Sequence, residues 1–202
     1  MNRYRVAVVF EGLDLSEDPV VDALCGALPE SVPAQINGIT TVTMDVSATN
    51  AEQAVMELVG RVTEAVPTAQ ALRVDQDLVN INDIAERIGR SRESVRLLAD
   101  GKRGPGTFPA PIGVVGDGIR VWPWAVVLEW FQSVQDVDVD EVGVLPEAAA
   151  VMDACFAARR SLPSMTSQPW PHAPTARGER LWRVPAGGGV PARGTPRLTV
   201  AS

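Results

Sequence analysis

Between positions 90 and 103 the chain gathers Arg90, Ser91, Arg92, Glu93, Ser94, Arg96, Lys102 and Arg103, and Arg120 follows downstream. These side chains suit nucleic-acid recognition: arginine can form two hydrogen bonds to a guanine edge, serine and glutamate can reach neighbouring groups, and lysine or arginine can grip phosphate. No comparable grouping points to catalysis. The only histidine, His172, lies between prolines near the C-terminus, so neither a Ser-His-Asp triad nor a histidine-based metal site can be assembled. A phosphate-binding loop and an acid-base pair are also absent, and the reading is therefore of a non-enzyme with no cofactor.

Recognition of this kind needs the side chains presented on a ridge that fits a groove, and the flanking sequence provides for one. Ile81, Ile84, Ala85 and Ile88 recur at helical spacing. Gly89 stops that helix, because glycine takes a left-handed backbone without a Cβ clash. Ser91 restarts it as an N-cap, and a second helix from Arg92 to Asp100 turns Val95, Leu98 and Ala99 inward. Two helices crossing steeply need a small residue at closest approach (Ala85), a tight turn (Gly89) and two apolar contacts (Val95 and Leu98), and this spacing meets each demand. The simpler alternative is an ordinary core helix pair with solvated arginines. Downstream, Lys102, Arg103, Gly104, Pro105 and Gly106 form a basic loop, and Phe108 to Ile112 is extended because each proline disfavours the helical region before it. Gly116, Asp117 and Gly118 then turn the chain into Ile119–Trp122, completing a hairpin.

Residues 80 to 131 resemble the winged helix-turn-helix of MerR-like and AlpA/excisionase-like DNA-binding proteins, particularly actinobacterial ones. The resemblance rests on Asp83-Ile84-Ala85-Glu86-Arg87-Ile88-Gly89, Ser91-Arg92-Glu93-Ser94-Val95-Arg96, Gly101 to Gly106, Phe108-Pro109-Ala110-Pro111, and the Trp-rich run Val121 to Phe131. It covers about a quarter of the chain. It implies that Arg92 and Arg96 contact bases or backbone, and that Lys102, Arg103 and Arg120 contact phosphate. The long coiled coil that precedes the effector-binding part in the sensor members is not present.

Charge is distributed unevenly along the 202 residues, whose formal net charge is −7. Positions 1 to 79 carry 4 basic and 12 acidic side chains, whereas 80 to 133 carry 7 and 6. An acidic body repels DNA, so binding must draw on specific contacts or on a second subunit, and a homodimer is expected. No apolar run approaches the roughly 20 residues of a bilayer span, and the N-terminal apolar run is too short for a signal peptide, so a cytoplasmic protein without membrane contact is expected. Cys25 and Cys155 fall in apolar helical patterns and read as reduced core thiols.

The predicted class is α+β, with an N-terminal ferredoxin-like βαββαβ plait over 1–78, serving dimerisation or sensing. The apolar run Tyr4–Phe10 is its first strand, and a helix opens at Asp18 with Pro19 in the first turn. Asn37-Gly38 marks a hairpin between Val32 and Val46, Asn50 caps a helix to Val66, and Ala69–Val74 is the last strand. A small winged helix-turn-helix occupies 79–133, and an acidic linker with an amphipathic helix occupies 134–162. A disordered Pro/Gly/Arg-rich tail is expected over 163–202. Trp122, Trp124 and Trp130 are expected to build the small core of the winged part; a stacking platform for single strands would need interleaved basic residues, which are missing. Asp136, Asp138, Asp140 and Glu147 match calcium-loop spacing, but Glu141 stands where the turn needs glycine, so an acidic linker or short strand is the better reading. The expected function is sequence-specific binding of double-stranded DNA in transcription regulation. The alternatives are an excisionase-like architectural protein, or an adaptor that binds a protein partner through the 146–160 helix or the tail.

Overall fold

The computed structural model describes residues 1–135, 142–162 and 170. The predicted tail, His172, and the acidic positions 136–141 lie outside the described residues, apart from Trp170 and Leu162 at its margin. The chain is α+β. It opens β1 (Asn2–Glu11), α1 (Asp18–Ala27), β2 (Val32–Ile36), β3 (Ile39–Ala48), α2 (Ala51–Ala65) and β4 (Gln70–Val74). These strands lie in the order β2-β3-β1-β4, each antiparallel to its neighbour. The β2–β3 turn is closed by Asn37 at φ 51° and Gly38 at φ 78°, the two left-handed positions that a type I′ turn requires. On α2, the Asn50 side chain accepts a 2.9 Å hydrogen bond from the Gln53 amide, satisfying an otherwise orphaned N–H.

Alternation along β1 and β3 decides which face is covered. Tyr4, Val6, Val8 and Phe10, with Val42, Met44, Val46 and Ala48, pack under α1 and α2 against Leu24, Leu28, Val55, Leu58 and Val62. The intervening residues point to the other face.

The chain then leaves this core and returns to it. It continues as β5 (Leu78–Val79), α3 (Ile81–Ile88), α4 (Arg92–Ala99), β6 (Gly113–Val115), β7 (Ile119–Pro123) and α5 (Trp124–Gln135), all of which except β6 contribute to a second core. Afterwards β8 (Val142–Gly143) pairs parallel with β1 at Tyr4 and Arg5, and α6 (Pro146–Ser161) places Ala149, Met152 and Phe156 in the first core. The 146–160 helix, expected either on the body or on a partner, thus buries its stripe on α2 and β4. Its polar side chains also close the β4 edge: Asp153 accepts from the Val74 amide at 2.7 Å, and Arg160 donates to the Ala71 carbonyl at 2.7 Å.

The cysteine expectation is corrected, because both Cys25 and Cys155 are exposed. Each sits one residue from a buried side chain, Leu24 or Phe156, and one residue turns a helix by about 100°, off a stripe this narrow. Among the described residues no helix is long and apolar enough to cross a membrane.

Candidate nucleic-acid interface

The helix pair α3–α4 is built by local chemistry. Asn80 accepts from the amides of Asn82 and Asp83 while Asp83 accepts from the Asn80 amide, a reciprocal capping box that fixes the start of α3. Gly89 ends it at φ 67°, in the left-handed region, with the Arg90 amide returning to the Ala85 carbonyl at 2.9 Å. Ser91 caps α4 through its Oγ, which accepts from the Ser94 amide at 3.2 Å. Ile84, Ala85, Val95 and Leu98 are buried together.

A four-ring aromatic group supports the pair from behind. Phe108 sits edge-on to Trp122, Trp130 and Phe131, with centroids 6.0, 4.9 and 6.1 Å away. The buried Trp122 indole donates to the Pro109 carbonyl at 2.9 Å, and Trp130 donates to Thr107 Oγ1 at 3.1 Å. The start of the Phe-Pro-Ala-Pro segment is therefore held by the two tryptophans. The hairpin β6–β7 gains a third strand, β5, through Leu78–Pro123 and Val79–Trp122.

The nine polar residues singled out in the sequence fall into distinct groups. Ser91 and Arg92 are exposed at the N-terminal end of α4, and Arg92 has no ion-pair partner among the described residues. The Ser91 hydroxyl hydrogen remains available, since the oxygen is used in capping as an acceptor. Arg96 points from the same face but is held on both sides: Glu93 accepts from Nε at 2.8 Å and Nη2 at 2.6 Å, and Asp100 accepts from Nη1 at 3.0 Å. The Arg96 hydrogen bond is the main reason the Glu93 carboxyl titrates below its ordinary value, and Glu93 in turn raises the Arg96 guanidinium.

Asp100, which the sequence reading left unassigned, is the hub of this network. It accepts from Arg120 at 2.8 Å and from Arg96, and the Lys102 ammonium lies 3.8 Å away. The Arg120 bond leads the causes that lower its carboxyl below the ordinary range. Arg120 also lies over the Trp122 ring, so this β7 residue ties the hairpin to the end of α4. The spacing from Arg96 to Asp100 is a helical i,i+4 pair and could have been read from sequence. Its link to Arg120 depends on how the hairpin folds back.

Lys102 and Arg103 follow directly. Both of their backbone amides donate to the Leu97 carbonyl, at 2.9 and 3.2 Å, fixing the loop against the end of α4. Gly104, at φ 76°, passes so close to Leu98 that a Cβ there would lie 2.9 Å from Cδ2. Arg103 is exposed and has no ion-pair partner among the described residues. Arg90 is used differently: it donates to Gln135 Oε1 at 3.1 Å and lies over Phe131, securing the α3–α4 turn to α5. Ser94 is half-buried and contributes its amide to the cap.

From Arg90 to Arg120 there are six cations and three carboxylates, so this surface is net positive on an otherwise acidic chain. Among the described residues the arrangement offers two arginines without a carboxylate partner, one lysine and a hydroxyl donor around α4, with a third arginine stored on a carboxylate pair. Compared with protein-family models, curated proteins and solved structures, the chain matches none.

Proposed function

We propose that this chain binds double-stranded DNA in a sequence-specific manner and regulates transcription. Residues 79–133 act as a winged helix-turn-helix, with α4 as the recognition helix in the major groove. The β1–β4 part is a ferredoxin-like plait, a reading supported by its βαββαβ order and its β2-β3-β1-β4 antiparallel strand order. The observation that carries the function is the exposed Arg92, without an ion-pair partner among the described residues, beside Ser91 at the start of α4, with Lys102 and Arg103 held at its other end. Arg92 and Ser91 read base edges, while Lys102 and Arg103 hold phosphates. Arg96 exchanges Glu93 for DNA, at a cost that restricts it to sites offering a better acceptor. Selecting bound duplexes from a random-sequence pool tests this. A shared motif, bound about a thousandfold or more tighter than scrambled duplex, is expected; an unenriched pool would refute it.

A second reading, a protein-binding adaptor, draws on the outer face of the β5-β7-β6 sheet, where Leu78, Val115 and Ile119 are each about half exposed. A complex with a protein that persists in high salt, with no retardation of any duplex, would favour it.

A further inference from the structure

We infer that the first turn of α5 is held in a clamp by the two crossings of the chain between its cores, and that this clamp fixes the direction in which the α3–α4 unit is presented. The inference goes beyond DNA recognition, since it rests on the junction alone.

The first crossing is short. The Asp75 amide still belongs to the first sheet, donating to the Ala7 carbonyl at 2.8 Å, and Leu78 is already paired with Pro123 in the second. Gln76 and Asp77 alone lie between them, which leaves little length in which to swing. Asp77 engages both sides. Its amide donates to Asp75 Oδ1 at 3.2 Å, its carbonyl accepts from the Trp124 amide at 3.0 Å, and both of its carboxylate oxygens accept from Arg87 of α3. Trp124 opens α5, and its amide is one of the donors that a helix N-terminus leaves without an internal partner. The Arg87 guanidinium also lies over the Trp124 ring, 4.9 Å from its centroid.

The second crossing grips the next residue. Gly143 of β8 pairs with Arg5 in the first sheet, and it runs so close to Ala125 that a Cβ there would lie 2.6 Å from Ala125 Cβ and 3.1 Å from its Cα. A residue without a side chain is what permits this approach. Consecutive residues of α5 are thus held by different crossings, Trp124 by Asp77 and Ala125 by Gly143. Further along, α5 buries Val127, Leu128 and Phe131 in one core with Val95 and Leu98 of α4, so the direction of α5 is also the direction of α4.

The link is closed against its own preferences. Asp77 has φ 47°, a left-handed backbone that residues other than glycine seldom adopt, and the neighbouring Gln76 Oε1 is buried without a hydrogen-bond partner among the described residues. A slack tether would relax both. The clamp is therefore a held state, and a shift of β8 against the first sheet is passed to α5 and from there to α4.

A distance measurement between the two cores in the full chain, without DNA, tests the proposal. Spin labels are placed on the exposed Cys25 of α1 and at the exposed position 129 of α5, in a chain carrying Glu129→Cys and Cys155→Ser, and read by double electron–electron resonance. One narrow distance is expected. Gly143→Ala, whose Cβ meets Ala125, shifts or broadens it, and adding Ala125→Gly to that variant returns it toward the original. Arg87→Gln, which loosens the hold on Asp77, broadens it as well. Unchanged amide protection of Val55 and Val95, one from each core, establishes that both cores are intact. Should Gly143→Ala lose that protection, Arg87→Gln decides. A broad distribution in the chain without these junction changes overturns the inference. So does a distance that stays narrow and unshifted in Gly143→Ala and Arg87→Gln alike, or a double variant that fails to return. None of these outcomes depends on whether the chain binds DNA.

Discussion

Removing Lys102 and Arg103 together should flatten the salt dependence of DNA binding by an amount that the ion-pair geometry sets. Of the six cations around α4, Arg90 is engaged with Gln135 and Phe131, Arg120 with Asp100, and Arg96 with Glu93 and Asp100. With Arg92 on a base edge, Lys102 and Arg103 remain to displace counterions from phosphate, Lys102 only loosely tied by its 3.8 Å approach to Asp100. Each neutralised phosphate contributes about −0.9 to the slope of log K against log salt, so two contacts give about −1.8 per recognition unit and about −3.6 for two units. In Lys102→Ala/Arg103→Ala that contribution to the slope is lost. The assay is fluorescence anisotropy of a selected duplex, titrated at several salt concentrations between about 50 and 200 mM. The ranking of base preferences stays the same, because phosphate contacts position without specifying. A slope unchanged by the double variant would refute the assignment, and so would a loss confined to particular bases.

Further expectations follow from neighbouring contacts. Glu93→Gln removes the charge that holds Arg96, so affinity for unrelated duplexes rises and the slope steepens by about 0.9 per unit; weaker binding to all duplexes would contradict the storage role. The Glu93 and Asp100 carboxyls titrate below their ordinary values of 4.5 and 3.8, so their stabilisation is complete above those values and is lost as pH falls through the lowered ones. The melting difference between wild type and Asp100→Asn should accordingly be constant from about pH 6 to 8 and shrink only below about pH 4; a change near neutrality would count against it. Phe156→Ala, which empties a fully buried site between α6 and the first core, should cost about 3–5 kcal/mol by denaturant unfolding. A cost under about 1 kcal/mol would mean that α6 is not part of that core.

Local chemistry was readable from the chain where one short segment determines its own geometry. Asn37-Gly38, the Asn50 cap, the Gly89 turn and the Ser91 cap each depend on residues within four positions of one another. The helix pair was equally legible, since Ala85, Val95 and Leu98 are set by helical spacing. What escaped depends on distant partners. The short strand β5 has its place only once β7 exists to pair with it, and α6 reads as an independent amphipathic helix until β4 and α2 supply its apolar surface. That return divides the chain differently from the linear reading: the α3–α4 unit is inserted between β4 and β8, and the 142–162 segment completes the first core. Phe108 was legible as a member of an extended proline segment but not as the centre of the aromatic group. At the candidate site the exposed arginines were identifiable from sequence. Their division into unpaired and carboxylate-bound was not, because Asp100 becomes a hub only when the hairpin brings Arg120 to it.

The most direct test of the central claim is a base-resolved comparison of wild type and Arg92→Ala on every single-base variant of the selected site. With Arg92 bound to one guanine edge, the substitution costs about 1–3 kcal/mol on the preferred sequence and abolishes discrimination at that one position, leaving the others as they were. An equal loss on every duplex would show that Arg92 does not read sequence, and no loss on any would remove α4 from the DNA altogether.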